Sequence, residues 1–249
     1  KPRAYSFKSG YMTELARREF GIPTLEAEKA VKETEISQSM SFEDIVINKF
    51  RPFIGKTIEE IKNIIGDELD SSSKDQYATL ARLMLGVKAK RVAEFDAAEV
   101  SMKTVQLKAD GTPKEHMSFP AFKYSELINE EWDSEDAKPL FQSQTERRFF
   151  FVIYQCDDDC KREDKRRLKK VMFWSMPIED REEVKYVWSE TIRRIQASPI
   201  SELPGASENR VAHVRPHGKD SDDTETFKGH KLMKKSFWLN SSYLKNIVS

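Results

Sequence analysis

The chain has 249 residues, of which 38% are hydrophobic and 10% aromatic, so it can bury one sizeable core or two modest ones. Its 42 basic residues balance 42 acidic ones, which excludes both a polybasic tail protein and a strongly acidic disordered protein. The longest nearly apolar stretch, residues 149–154, is far shorter than the roughly 20 residues that a membrane span needs. We therefore expect a folded, soluble protein with no membrane partner.

The first 40 residues differ from the rest of the chain. They mix short helical patterns with polar spacing and lack the aromatic density that follows, so we interpret residues 1–40 as an amino-terminal arm or connector. Ser41 with Asp44 three residues later is typical of a helix start, and it marks the beginning of a domain over residues 41–249. Because the chain begins with Lys1, we expect it to be part of a longer protein.

Later elements follow from hydrophobic periodicity. Apolar residues at helical spacing predict helices, and alternation of apolar with polar residues, together with many β-branched residues, predicts strands. Helices are predicted from Ser41, from Ile58, up to Gly86 and over 181–196, and strands from Glu99 and over 147–155, 168–176 and 210–215.

The two cysteines, Cys156 and Cys160, bracket three aspartates in a charged stretch. Two thiols with no histidine within 30 residues cannot complete a zinc site, so no metal is expected here. We expect free thiols in a reducing compartment, at the solvated tip of a hairpin. The adjoining residues 161–170, which are mostly basic, either touch a nucleic-acid backbone or simply solvate this tip.

Charge is unevenly placed along the chain. From Gly205 onward basic residues exceed acidic ones by three, and three of the four histidines fall in the same region. Exposed positive charge beside polar donors is what contacts to phosphates and base edges require. The alternative is an ordinary solvated surface that happens to be basic.

Residues 94–107 resemble the active-site strand of the MutH group of DNA endonucleases, which cut at GATC. The signature is an acid, about seven residues, a second acid, any residue and a lysine, and a Gly-x-Pro turn follows it at 111–113. Four further segments agree in order and spacing, so that the resemblance covers about residues 41–249: 55–58, 83–86, 214–218 and 232–237. The nearest likeness is to the carboxyl-terminal, pseudo-catalytic half of a two-lobed type II restriction endonuclease.

This resemblance implies an α+β, restriction-endonuclease-like fold, in which a mixed sheet flanked by helices forms a two-lobed clamp. It also assigns the site positions, with Glu94 as the first acid, Ser101 in place of the second and Lys103 as the lysine. The acid that the family brings from a helix falls on Arg82, which reverses the charge. A neutral serine and a cation cannot hold magnesium, so we expect no catalysis by this chain, whereas the parent enzyme uses magnesium.

One alternative keeps catalysis. Glu99 shares strand parity with Ser101 and Lys103, so this carboxylate is expected to face the same side as Ser101, about 6 to 7 Å away. Asp96 could also swing in from the preceding turn. The chain would then be an active magnesium-dependent endonuclease with a relocated carboxylate. A further alternative treats Glu94, Glu99 and Lys103 as ordinary surface charges on an edge strand, and it also predicts no catalysis.

The resemblance also implies a DNA-reading loop after a strand near residues 211–215. Arginine can donate two hydrogen bonds to a guanine edge, histidine can bind a base or a phosphate, and proline and glycine shape the loop. The residues concerned are Arg215, Pro216, His217 and Gly218, with further positive charge from Lys231, Lys234 and Lys235. Leu232 stands where the family often has a tyrosine. The alternative for the loop is a plain β-turn.

The function implied is that of a non-catalytic DNA-binding effector domain in a bacterial cytoplasmic restriction enzyme. Its partners would be double-stranded DNA containing a second GATC copy and the amino-terminal catalytic half of the same enzyme. No cofactor is expected for this chain itself. A third possibility is a purely structural half that touches no DNA.

Overall fold

The structure is a computed structural model, and it describes residues 12, 15–16, 19–20, 27–31, 40–66, 75–134, 137–157, 165–197, 200, 202–218 and 222–248. Its elements in chain order are β1 (Ala27–Glu28), α1 (Phe42–Phe50), α2 (Ile58–Ile65), α3 (Gln76–Met84), β2 (Arg91–Val92), α4 (Ala93–Ala97), β3 (Val100–Leu107), β4 (Met117–Phe122), α5 (Tyr124–Leu127), α6 (Leu140–Glu146), β5 (Arg148–Gln155), β6 (Arg167–Trp174), α7 (Ile178–Gln196), β7 (Ala212–Pro216), β8 (Thr224–Phe227), β9 (His230–Met233), β10 (Lys235–Leu239) and α8 (Ser241–Val248). The mixed α+β class is confirmed.

The chain divides into two compact units. The first comprises Lys1–Asp110 and Arg147–Trp174, and the second comprises Gly111–Glu146 and Ser175–Ser249. The amino-terminal residues group with the first unit, and the interpretation of residues 1–40 as an arm stays a prediction. Within the described part of the chain, no helix is long and apolar enough to cross a membrane.

Local sequence signals set the helix ends in the first unit. Ser41 caps α1 and Thr57 caps α2, each in a capping box with the acid three residues later. Gly86, which follows α3, has φ 82°, a backbone conformation that glycine adopts without a steric penalty. The helix starts predicted at Ser41 and Ile58 are confirmed, and α3 ends two residues before Gly86.

The sheet of the first unit has the order β3-β5-β6, with β3 parallel to β5 and β6 antiparallel to β5. The prediction that 147–155 and 168–176 form neighbouring strands is therefore confirmed. The central strand β5 is buried on both faces, as a near-continuous apolar run requires. One face of the sheet, with Phe150, Val152 and Tyr154, packs into the apolar cluster that the helices of this unit supply.

The second unit is built on the antiparallel sheet β4-β10-β7. Phe119, Phe122 and Phe237 lie on its apolar side, where the ring of Phe237 stacks on that of Phe141 at 4.1 Å. Helix α7 contacts β7, and the side chains that its predicted apolar stripe buries include Val184 and Ile195. This helix begins three residues earlier than the periodicity predicted.

A hairpin formed by β8 and β9 was not predicted. Its turn uses Lys228 at φ 49° and Gly229 at φ 77°, two left-handed residues in succession, as a two-residue hairpin loop prefers. The Glu225 carboxylate accepts hydrogen bonds from the backbone N–H groups of Tyr124 and Ser125, where α5 begins. These contacts anchor the hairpin to the start of α5 within the second unit.

Candidate nucleic-acid interface and degenerate metal site

Ser101 and Lys103 lie on one face of β3, as the strand pattern predicted. Their register partners on β5 are Phe149 and Phe151, which belong to the face opposite the helical core of the first unit. Burial, and then the neighbouring positive charge of Arg147, lower the pKa of Lys103. Lys103 thus stands at the position to which the resemblance assigns a lysine, while Ser101, at the position assigned to an acid, carries a neutral hydroxyl.

Glu94, the first acid of the motif, is held by main-chain donors. Its Oε2 accepts a hydrogen bond from the N–H of Ala30 and its Oε1 accepts one from the N–H of Val31, each at 2.9 Å. Both donors belong to a buried turn of the amino-terminal segment. The carboxylate that the motif assigns to a metal ion is thus engaged in a backbone contact.

A second carboxylate, that of Glu28, joins the same two segments in the opposite sense, because here the amino-terminal segment supplies the acceptor. Glu28 Oε2 accepts hydrogen bonds from the N–H groups of Lys88 at 2.6 Å and Ala89 at 3.2 Å. Between these two contacts β1 pairs with β2 in parallel. Four hydrogen bonds from backbone amides to carboxylates therefore fix residues 27–31, which we call the clasp segment, to the first unit.

Arg82 lies on α3, at the position to which the resemblance assigns an acid. Its Nη2 donates a hydrogen bond to Thr79 Oγ1 at 2.9 Å, and its Nε is buried with no hydrogen-bond partner among the described residues. Its helix, α3, packs against β3. The structure thus places a cation on an element that borders the motif strand.

The structure corrects the argument for Glu99. This residue has φ 54°, a left-handed conformation, and β3 begins only at Val100, so strand alternation does not determine where the Glu99 side chain points. Asp96 forms an ion pair with Arg91, whose Nε lies 2.8 Å from its Oδ2. A relocated carboxylate at either position therefore has no support from strand geometry.

These residues do not fit a magnesium ion. The three positions that the resemblance assigns to carboxylates hold a serine, an arginine and a glutamate that already binds two backbone amides. Among the described residues, no group of three or more His, Cys, Asp or Glu side chains is placed to hold a metal.

The second unit brings together part of the predicted DNA-reading group. Strand β7 pairs with β10 so that Arg215 lies opposite Ser236 and His213 opposite Trp238, and these four side chains share one face of the sheet. Arg215 is exposed, and its guanidinium carbon lies 5.0 Å from the centroid of the Trp238 ring. We call this face, which carries Arg215 and Trp238, the reading face.

The loop after β7 continues along the reading face. His217 is exposed, its ring lies 5.3 Å from that of Trp238, and its backbone N–H donates to the carbonyl of Lys234 at 3.0 Å. Pro216 pairs with Lys235 at the end of the strands, and Gly218 follows at the surface. Arg215 and His217 therefore flank one tryptophan ring.

The predicted lysines do not form one group. Lys234 makes an ion pair with Asp223, with 2.5 Å between Nζ and Oδ1. Lys235 shares its sheet face with Phe237 rather than with Arg215, and burial lowers its pKa, although the nearby Glu202 acts in the opposite direction. Lys231 is exposed on β9.

Three residues near Arg215 were not predicted from the sequence: Trp238, His213 and His116. The rings of the two histidines lie 4.6 Å apart, His213 Nδ1 lies 2.6 Å from Asn240 Oδ1, and His116 Nδ1 accepts a hydrogen bond from the Ser241 N–H. Burial lowers the pKa of His213 to about 4, against an opposing effect of the hydrogen bond to Asn240. Side chains alternate along a strand, so once Ser236 is paired with Arg215, Trp238 is expected on the same face of the sheet as Arg215. No sequence pattern indicates His116, because it lies about 100 residues before Arg215 in the chain.

The cysteine prediction is wrong at Cys156, which is disulfide-bonded, and Cys160 lies outside the described residues. Free thiols were expected because two cysteines are too few for a disulfide framework, but one disulfide needs only a single pair of cysteines.

The basic run 161–170 is described only in part, because residues 161–164 lie outside the described residues. Arg166 is buried and donates to the carbonyl of Leu107 at 3.1 Å, so it does not belong to a solvated surface.

Comparison with known proteins finds sequence similarity between this chain and a restriction enzyme. No protein-family model matches it. The chain is similar to the type II restriction enzyme Sau3AI of Staphylococcus aureus, with 28% identity over an alignment of 296 residues. The alignment takes in 100% of this chain but only 59% of that enzyme. This similarity supports a relationship between the chain and the restriction endonucleases.

Proposed function

We propose that this chain is a non-catalytic, DNA-binding effector domain of a type II restriction endonuclease. In this role it binds a second GATC copy and promotes double-strand cleavage by an amino-terminal catalytic half. The observation that carries the proposal is the state of the motif acids, because Glu94 binds the backbone of the clasp segment while Ser101 and Arg82 replace the other two.

Electrostatics supports the absence of catalysis. A divalent ion needs anionic oxygen ligands, and hydrolysis of a phosphodiester needs that ion to stabilise charge on the phosphate. Arg82 would repel the ion, and releasing Glu94 for coordination would leave the N–H groups of Ala30 and Val31 without acceptors. Magnesium then serves the catalytic half alone.

The reading face supports DNA binding. Arg215 has no carboxylate partner among the described residues, in contrast to Arg210 on the same unit, which pairs with Asp180 at 2.7 Å. An arginine stacked on an aromatic face keeps its N–H donors along the edge of the guanidinium plane. Such donors match the two acceptors on the major-groove edge of guanine.

Thermodynamic linkage between DNA binding and cleavage states what the effector role requires. A domain that promotes cleavage by binding DNA must bind that DNA more tightly when the enzyme is in its cleavage-competent state. The similarity to a type II restriction enzyme along the whole chain supports a function related to such enzymes.

Catalysis is tested with the purified chain and a supercoiled plasmid containing GATC, in millimolar magnesium or manganese. The proposal requires the plasmid to remain supercoiled. Nicking that disappears in Glu99→Ala would instead establish the relocated-carboxylate nuclease.

Binding is tested by titrating GATC and scrambled duplexes at two salt concentrations. The proposal requires salt-dependent binding with tighter association at GATC. Absence of binding to either duplex would assign the chain a purely structural role.

A further inference from the structure

We propose that Trp238 is a positioning residue for sequence readout, which holds the Arg215 guanidinium in the plane that its GATC contact needs. This inference rests on the proposed function and deepens it. It names a residue outside the loop 215–218 that sets specificity at the same site.

The first observation is how Arg215 is held. Arg194, also in the second unit, is fixed by two carboxylates, those of Glu190 and Glu208 at 2.7 and 2.5 Å. Arg215 instead lies against an aromatic ring, 5.0 Å from its centroid, and forms no ion pair among the described residues. A carboxylate would occupy the guanidinium donors, whereas a ring contacts the guanidinium plane and leaves these donors free.

The second observation is that the ring itself is fixed. Trp238 lies in β10 between β4 and β7, opposite Ser118 on one side and His213 on the other. A strand paired on both sides cannot shift without breaking two sets of backbone hydrogen bonds. The guanidinium therefore rests on a rigid element although the Arg215 side chain is exposed at the end of a strand.

The third observation makes the role testable. Trp238 Nε1 is buried and has no hydrogen-bond partner among the described residues. Replacing tryptophan with phenylalanine therefore removes no protein hydrogen bond and keeps an aromatic face. Replacing it with leucine removes the face that attracts the cation.

The experiment measures binding of the full chain to GATC and scrambled duplexes for the wild type, Trp238→Leu, Trp238→Phe and Arg215→Ala. Trp238→Leu should reduce the ratio of GATC to scrambled affinity by about two- to fivefold, the range expected for an exposed cation–π contact. Trp238→Phe should keep most of this ratio. Arg210→Ala, which removes an arginine held by Asp180, serves as the matched control and should leave the ratio unchanged.

A double-variant cycle separates positioning from simple loss of fold. In an Arg215→Ala background, Trp238→Leu should no longer change the ratio, because there is no guanidinium left to hold. Melting temperatures of all variants report folding independently. If the single and double changes are additive, or if Trp238→Phe loses as much as Trp238→Leu, the positioning role is overturned.

Failure of the two proposals can be told apart. A wild-type chain that binds both duplexes equally overturns the proposed function and this inference with it. A wild-type chain that prefers GATC, with the preference intact in Trp238→Leu, overturns only the role of Trp238.

Discussion

The Oε2 atom of Glu94 lies 2.9 Å from the backbone nitrogen of Ala30, across 64 residues of sequence. Together with the contact to Val31 it makes the first motif acid an anchor for the clasp segment. Glu94→Gln should cost about 1 to 3 kcal/mol of unfolding free energy, because an amide presents one acceptor where two N–H donors converge. Hydrogen exchange at Ala30 and Val31 should accelerate in this variant.

Asp96→Asn is the matched control for this prediction. It removes a carboxylate from the same helix, but that carboxylate pairs with a partly exposed Arg91 and contacts no main-chain donor in the clasp segment. The cost should stay within about 1 kcal/mol. Equal protection of Ala30 and Val31 in the wild type and in Glu94→Gln would contradict the anchoring role.

Metal binding should depend on the two replaced positions jointly. Ser101→Glu alone leaves Arg82 opposing the ion, and Arg82→Glu alone leaves no acid beside Lys103 on β3. The double variant should therefore bind magnesium measurably more tightly than either single variant in calorimetric titrations. Equal affinities for the double variant and the wild type would argue against a degenerate metal site at these positions.

Arg215 and Lys234 should behave differently on DNA. If Arg215 reads a guanine edge, Arg215→Ala should cost about 1 to 3 kcal/mol on GATC duplex and little on scrambled duplex. Lys234→Ala should weaken both duplexes alike and lower the salt slope by about one, as for a phosphate contact. Equal losses for Arg215→Ala on both duplexes would reduce the loop to a backbone-binding turn.

The ion pair between Lys234 and Asp223 adds a further expectation. Asp223 competes with phosphate for the lysine, so Asp223→Asn should strengthen binding to GATC and scrambled duplexes by similar factors. The gain should shrink as salt is raised. A gain confined to GATC would show that the pair influences base readout instead.

Stability of the second unit should fall in mild acid. The folded-state pKa of His213, about 4, lies below the ordinary value of 6.5, so the unfolded state takes up the proton first as pH falls. The stabilisation is complete above about pH 6.5 and is lost progressively as pH falls toward 4. Burial causes most of the shift, and the charges of His116 and Arg215 add to it.

The acid prediction is checked by chemical denaturation from pH 8 to 4. His213→Asn should flatten the decline, although its stability at neutral pH will be lower, because Asn240 loses the ring that it contacts. The pKa of His116 is also lowered by burial, so His116→Gln should flatten the curve by a smaller amount. An unchanged pH dependence in both variants would assign the decline to other groups.

Sequence reasoning succeeded where the signal is local. The capping boxes at Ser41 and Thr57 involve residues three apart, and the apolar stripe of α7 needs only helical periodicity. It failed where contacts join distant segments, as with Glu94 and Ala30, because neither residue type nor spacing indicates a backbone donor 64 positions away.

Two errors at the candidate sites have a simpler origin. Lys235 was predicted to belong to the DNA-reading group with Arg215, but its strand register places it on the opposite face of the sheet from Arg215. Glu99 was assigned to a strand by parity, but its positive φ ends the alternation one residue before β3 starts. The strand register decides the face on which Lys235 lies, and the φ angle of Glu99 decides whether this residue continues the strand.

The hydrogen bonds between Glu94 and the clasp segment also limit which residues can replace Glu94 without loss of stability. Replacing this acid costs folding stability whether or not a metal is bound, because the N–H groups of Ala30 and Val31 lose their acceptors. Using the Glu94 carboxylate to bind a metal ion would then require a new acceptor for two main-chain amides as well as further acids, and no single substitution supplies both. The contacts of Glu94 with the clasp segment are therefore sufficient to explain an acid at this position without a metal ion.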